Sequence, residues 1–137
     1  MHAERMNKYM QKNLEQELFD SYNFMQTDEN CCIPCDCGSG WFSLIKAFCS
    51  ELAGYCKINN INVLDFDISQ VKQKMGTMRI CYSSSDKMII DYLFSLTNKY
   101  EHLSSEICEQ CGSQGTLQIV NSYRQVLCEG CLKSKII

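Results

Sequence analysis

Residues 108–131 read CEQCGSQGTLQIVNSYRQVLCEGC, and this stretch decides how the C-terminal part of the chain folds. It holds two cysteine pairs of the form CxxC, with sixteen residues between the pairs. Such spacing marks zinc sites, because a tight knuckle turns two sulfurs toward one ion and a hairpin returns the second pair to complete a tetrahedron. The sequence therefore predicts a site for one structural Zn²⁺ whose ligands are Cys108, Cys111, Cys128 and Cys131.

The residues between the two pairs favour a β-hairpin. Residues 116–120 and 123–127 are rich in apolar and β-branched side chains, and the turn-forming pair Asn121-Ser122 separates them. Gly112 follows the first pair and Gly130 lies inside the second, where a knuckle often needs positive φ. Four thiolates leave no open coordination position, so we expect a structural rather than a catalytic ion. The alternative interpretation is two unrelated, redox-active CxxC pairs.

Upstream of the hairpin, hydrophobic periodicity predicts three helices and two strands. Apolar residues at helical spacing indicate helices over residues 3–19, 41–56 and 86–103. Leu64, Phe66 and Ile68 alternate with polar residues, as do Met78, Ile80 and Tyr82, and a sharp reversal is expected at Gly76. Trp41 begins the apolar face of the second helix and is predicted to be a core residue.

The order of these elements predicts an α+β fold of about three helices and a short antiparallel sheet, ending in a zinc-ribbon hairpin with four cysteine ligands. A chain of 137 residues with 45% apolar content is long enough for one domain with its own core. We expect a body over residues 1–104 and a ribbon over residues 105–137, packed together as a single compact domain.

The chain contains 11 cysteines, an odd number that favours metal ligands and free thiols over a disulfide framework. Four of them form a cluster that is a candidate for a second metal site: Cys31, Cys32, Cys35 and Cys37. We favour a loop of reduced thiols instead, because adjacent cysteines do not easily point at one ion. Three others fall at apolar positions and are predicted to be small core residues: Cys49, Cys56 and Cys81.

Thirteen basic and sixteen acidic residues leave a net charge of −3, which argues against a broad phosphate-binding face. The densest basic cluster consists of Lys72, Lys74 and Arg79. We interpret it as a solvated strand edge, with an interface for nucleic acid or an acidic protein surface as the alternative. In the ribbon, the candidate phosphate contacts are Arg124, Lys133 and Lys135.

Catalytic patterns are missing from the sequence, and we predict no enzyme activity. The two histidines are His2 and His102, and nothing selects a cysteine to pair with either. A zinc deaminase carries H-x-E ahead of P-C-x-x-C, whereas here Ser104 lies two residues after His102 and Ile107 precedes Cys108. Phosphate-loop and dinucleotide-binding motifs are also missing. Neither a leader with an apolar core nor a membrane-spanning apolar run occurs, so we expect a cytoplasmic protein.

Three stretches together resemble a family of small, functionally uncharacterised bacterial and phage proteins. They are Gly38-Ser39-Gly40-Trp41, the run VKQKMGTMRI at residues 71–80, and CEQCG at residues 108–112 followed by the second CxxC. The matching family boxes read GxGW, VKxKxGxxR and CxxCG…CxxC, although Gln73 and Met75 replace the Glu and Phe usual there. The resemblance implies a compact, zinc-containing α+β domain of mobile-element origin, and it implies no activity.

Three hypotheses about function follow. The leading one is a non-enzymatic, zinc-stabilised binding protein that acts by protein–protein contact, with a phage inhibitor of a host or defence complex as a special case. The second is a nucleic-acid-binding regulator that uses the ribbon. The third is a thiol redox protein built on the cysteines of residues 31–37.

Overall fold

The computed structural model describes residues 9–25 and 35–136. Within these ranges it shows four α-helices, which are α1 (Lys12–Ser21), α2 (Phe42–Ile58), α3 (Lys87–Ser104) and α4 (Glu129–Ile136). The five strands are β1 (Cys35–Asp36), β2 (Phe66–Lys74), β3 (Thr77–Ser84), β4 (Thr116–Val120) and β5 (Tyr123–Leu127). The predicted α+β class is confirmed.

One three-stranded sheet has the order β1-β2-β3, and β4 and β5 form a separate hairpin. β2 and β3 are antiparallel and meet at Met75-Gly76, where both residues have positive φ, so the predicted reversal at Gly76 is confirmed. The second predicted hairpin is also confirmed, because Val120 pairs with Tyr123 across Asn121-Ser122. Positive φ at both of these turn residues matches the right-handed twist of the flanking strands.

The core lies between the three-stranded sheet and helices α2 and α3. Trp41 is fully buried, as predicted, and its neighbours on the same stripe of α2 are Ile45, Phe48, Cys49 and Leu52. Rings join the two helices: Tyr55 stacks on Tyr92, and Phe48 meets Tyr100 edge-on. The predictions that Cys49 and Cys56 are core residues are confirmed.

α3 also covers the outer edge of β3. The Met78 amide donates to Ser104 Oγ at 2.9 Å, and the Ile80 amide donates to Glu101 Oε2 at 2.9 Å. At the opposite edge of the sheet, the Cys35 amide donates to Glu15 Oε2 of α1 at 3.3 Å. Helix side chains therefore supply acceptors to strand amides at both edges of this sheet.

Four details differ from the sequence-based expectation. Leu64 is not in a strand: it lies in a 3₁₀ turn, 75% exposed, because the Asn62 side chain accepts from its amide at 2.9 Å. Cys81 is half-buried rather than core, since it pairs with Gln70 on the outward face of the sheet. The cysteine cluster of residues 31–37, expected to be a loop, contributes β1, which pairs in parallel with Val71 and Lys72. The helix α4 was not expected.

The first helix begins later than predicted. Residues 9–11 are not helical, and the expected residues 3–8 lie outside the described ranges. The Gln11 amide donates to Ser39 Oγ at 2.9 Å, which ties the start of α1 to the turn before α2. The division into a body and a ribbon stays a prediction.

Candidate metal centre

The first cysteine knuckle follows α3 directly. The Cys108 amide donates to the Ser113 carbonyl at 2.6 Å, and the Gly112 amide donates to the Cys108 carbonyl at 2.9 Å. Gly112 has φ +87°, a conformation that L side chains rarely adopt. The glycine after the first pair is therefore required by the turn, as the sequence suggested.

The second knuckle joins β5 to α4. Cys128 follows the strand, Cys131 lies in the first turn of the helix, and the Cys131 amide points at Cys128 Sγ from 3.4 Å. The prediction that Gly130 has a positive φ was wrong. This residue is helical and φ is not positive there, because the helix itself turns the second pair of sulfurs.

All four sulfurs of the predicted quartet come together. The Sγ atoms of Cys108, Cys111, Cys128 and Cys131 all lie within 4.8 Å of one another, and Cys111 Sγ is 3.6 Å from Cys128 Sγ. Sulfurs about 2.3 Å from a tetrahedral ion would be separated by about 3.8 Å. The residues present therefore fit a single metal ion with a closed shell of four thiolates.

The thiols of the quartet differ in their readiness to ionise. Hydrogen bonding by the hydroxyl and the amide of Ser113 lowers the pKa of Cys111 to about 6. Burial and the neighbouring sulfurs raise the pKa of Cys131 above its ordinary value. Metal binding displaces the remaining thiol protons, so binding is expected to weaken as the pH falls.

The body holds the first knuckle through Gly38, Gly40 and Trp41, a contact we call the glycine clamp. The Gly40 amide donates to the Glu109 carbonyl at 2.7 Å, and the Gly38 amide donates to Glu109 Oε2 at 2.8 Å. Trp41 Nε1 donates to the Ile107 carbonyl at 2.9 Å. A Cβ at Gly40 would overlap the carbonyl oxygens of Cys108 and Glu109. The sequence shows the GSGW run but not its contact with the knuckle.

Glu109 is fully buried beneath this clamp. Its amide donates to the Val126 carbonyl of β5 at 2.9 Å, so one residue links the knuckle, the hairpin and the body. Burial raises the pKa of the carboxyl, opposed mainly by the Gly38 amide. Sequence reasoning missed this residue, because an acid between two metal ligands reads as an exposed knuckle position.

The cysteine cluster of residues 31–37 is described only in part, since Cys31 and Cys32 lie outside the described residues. Cys35 and Cys37 are buried. Burial raises the pKa of Cys35 to about 12, and it also holds the pKa of Cys37 well above the ordinary value of a thiol. Thiols held in this way are poor nucleophiles. All nine described cysteines are free, and the C-terminal quartet is the single metal-compatible group in the described part of the chain.

Lys72, Lys74 and Arg79 share the outward face of the β2–β3 hairpin. Lys72 is directly opposite Arg79 in the register, with Asp36 of β1 on its other side. Arg79 Nη1 donates to Thr77 Oγ1 at 2.7 Å. The structure therefore brings the three bases onto one surface, as the hairpin pattern suggested, with an acid beside them.

The remaining candidate residues are dispersed. In the ribbon, Arg124 is exposed on β5, Lys133 forms an ion pair with Glu129 at 3.3 Å, and Lys135 is half-buried on α4. His102 is exposed in the last turn of α3, and no metal-compatible group in residues 9–25 and 35–136 includes it. His2 lies outside those ranges.

Comparison with protein-family models, with curated proteins and with solved structures finds no match for this chain. The family resemblance drawn from the three boxes therefore stays a prediction, of which the structure supports the cysteine quartet. Among the described helices, none is long and apolar enough to cross a membrane.

Proposed function

We propose that this chain is a non-enzymatic, zinc-stabilised binding protein that acts through protein–protein contact. The observation that carries the proposal is the geometry of the quartet, because four thiolates around one ion leave no position for a substrate or a water. The glycine clamp fixes the first knuckle against the body. An ion that holds the two knuckles together would therefore also hold the ribbon in place on the body.

Zinc is the metal that this donor set favours. Soft thiolate ligands in a tetrahedron select zinc or an iron–sulfur centre, and knuckles joined by a hairpin are typical of zinc ribbons. Elemental analysis of the purified, dialysed chain is expected to give about one zinc per chain. Iron in place of zinc would contradict the identity of the metal, and about two zinc ions would support a second site among residues 31–37.

A pair of serine variants tests which cysteines bind the ion. Cys128→Ser is expected to lose the zinc and unfold the ribbon, because binding free energy of a structural metal is also folding free energy. Cys81→Ser is the matched control, since Cys81 is also only half-buried but lies on the outward face of the sheet. Full zinc content in Cys128→Ser would contradict the assignment.

Action through protein contact is supported by several large apolar side chains left exposed on the described surface: Ile58, Leu64, Met88, Phe94, Leu117 and Ile119. Inhibition of a host or defence complex is the special case that the resemblance to phage proteins favours. Capture of a partner on the immobilised, zinc-loaded chain, followed by titration with that purified protein, is the test. Retention of nucleic acid in place of protein would contradict the proposal.

A nucleic-acid-binding regulator is the second candidate, favoured by the three bases on one sheet face. Binding of this kind weakens steeply with salt, because phosphate contacts release counterions. The triple variant Lys72→Ala, Lys74→Ala and Arg79→Ala is compared with Lys12→Ala, Lys57→Ala and Lys87→Ala, which removes the same charge from exposed positions elsewhere. Heparin or DNA retention that only the first variant loses would favour this second candidate.

A further inference from the structure

The strand β4 is the outer strand of the ribbon hairpin. Its neighbour β5 is the inner strand, because the carbonyls of Val126 and Arg124 accept from the Glu109 amide and from Gln73 Nε2, each at 2.9 Å. These two carbonyls therefore point away from β4. Val126 pairs with Leu117, and Arg124 pairs with Ile119. In an antiparallel ladder, the backbone N–H and C=O groups of two paired residues either point toward each other on both strands or point away on both strands. The backbone groups of Leu117 and Ile119 consequently point outward from the hairpin.

The outer edge of β4 is hydrogen-bonded where the strand begins, and further along it has no partner among the described residues. The Gly115 amide donates to the Glu106 carbonyl at 2.9 Å, which continues the outer edge of β4 by one step toward the knuckle. For Leu117 and Ile119, the described residues supply no partner on this outer side. The amides of Met78, Ile80 and Cys35 in the other sheet, by contrast, are bonded to helix side chains.

The side chains along β4 suit pairing with an identical strand. The sequence Thr-Leu-Gln-Ile-Val has no charge, proline or glycine, so it lacks the devices that keep strand edges apart. Leu117 and Ile119 lie on one face of the strand, 49% and 63% exposed. In an antiparallel register centred on Gln118, Leu117 is opposite Ile119 of the second copy. Both outward-pointing residues then exchange backbone hydrogen bonds and bury their side chains together.

We propose that two copies of the chain associate by antiparallel pairing of their β4 edges about a two-fold axis at Gln118, which joins the two hairpins into one continuous sheet. A self-complementary contact of this type closes as a dimer, because the same edge is used on both copies. The paired segment is short, so the dimer is weak, with a dissociation constant on the order of micromolar or above. This association goes beyond the proposed function and does not depend on the identity of a binding partner.

The test is sedimentation of the zinc-loaded full chain between about 10 μM and about 1 mM, the range that a small interface requires. We expect a reversible monomer–dimer equilibrium. Ile119→Lys places two ammonium groups near each other across the axis and is expected to weaken the dimer at least about tenfold. Ile58→Lys is the matched control, because Ile58 is 82% exposed at the far end of α2 from the clamp. Zinc content and circular dichroism establish that both variants fold.

Hydrogen exchange gives an independent readout of the backbone. The amides of Leu117 and Ile119 are expected to become protected as the concentration rises, while the amides at the exposed ends of the helices do not change. A chain that stays monomeric at about 1 mM overturns the proposal and leaves the edge to a strand from a different protein. A dimer that persists in Ile119→Lys, with both amides unprotected, overturns it as well.

Discussion

Gly40 lies where the body touches the first knuckle, and its missing side chain is what permits the contact. A Cβ there would overlap the carbonyl oxygens of Cys108 and Glu109, which are backbone atoms of the metal site. Gly40→Ala is therefore expected to lower the free energy of unfolding by about 1–3 kcal/mol, the range for overpacking a buried contact. Chemical denaturation of the zinc-loaded protein measures the loss.

Gly54→Ala is the control for this substitution. Gly54 is exposed on α2, and a Cβ there would have no neighbour within 4 Å. Alanine in a helix is about 0.5–1 kcal/mol more favourable than glycine, so this variant is expected to be slightly more stable than the parent. Equal destabilisation of the two variants would show that the clamp is not the cause.

Trp41 combines a buried ring with a hydrogen bond to the Ile107 carbonyl at 2.9 Å. Trp41→Ala is expected to cost about 3–5 kcal/mol of stability, as for other large aromatic residues in cores. Trp41→Phe keeps most of the ring but loses the indole donor, so a smaller loss of about 1 kcal/mol is expected from the unpaired carbonyl. Thermal unfolding of the three proteins separates packing from hydrogen bonding, and unchanged stability in Trp41→Ala would contradict the core assignment.

At the scale of elements, Glu51 joins α2 to α3 through a hydrogen bond from Tyr100 at 2.7 Å and an ion pair with Lys99 at 3.0 Å. The Tyr100 hydrogen bond, with Lys99 second, lowers the pKa of Glu51 below its ordinary value of 4.5. A carboxyl with a lowered pKa stabilises the fold above its unfolded pKa, and this contribution is lost as the pH falls through the folded pKa. The stability difference between the parent and Glu51→Gln is therefore expected to shrink as the pH falls below about 5.

Urea denaturation of both proteins at a series of pH values measures this difference. Asp91→Asn is the control, because Asp91 is also a carboxylic acid and is exposed on α3. A difference between parent and Glu51→Gln that stays constant from neutral to acid pH would contradict the prediction.

Elements with strong periodicity were predictable from the sequence, and the missed ones depend on contacts distant in sequence. Helices α2 and α3 and both hairpins follow local patterns. The alternation along β2 was not predictable, because a bulge at Ser69 shifts it by one residue. Phe66 and Ile68 before the bulge and Val71 after it all face inward. β1 is two residues long and is a strand only because Val71 and Lys72 lie beside it.

The candidate metal site likewise has one part that local sequence predicts and another that depends on contacts distant in sequence. Spacing alone predicted which four cysteines come together, because knuckle geometry is local. The glycine clamp joins residues 38–41 to residues 107–109, a contact between segments more than sixty positions apart. Two glycines before a tryptophan read as a helix start, and nothing local indicates that they hold a metal knuckle.

At the scale of the whole molecule, Trp41 connects the cysteine quartet to the core. The Ile107 carbonyl, next to Cys108 of the quartet, accepts a hydrogen bond from the indole, and the ring is fully buried in the core. The Gly38 and Gly40 amides reinforce this path through Glu109. Loss of a metal ion from the quartet is therefore expected to alter the packing of the core as well as the structure of the ribbon.

Removal of the metal tests this coupling, since Trp41 is the only tryptophan and reports on the core by its fluorescence. A strong chelator is expected to shift the Trp41 emission to longer wavelength, because the knuckle loosens without its ion and water reaches the indole. Addition of zinc should restore the original spectrum, and Cys81→Ser should behave as the parent does. Loss of the zinc with no change in emission would mean that the core does not depend on the ribbon. In that case the clamp would be a contact between two separately stable parts.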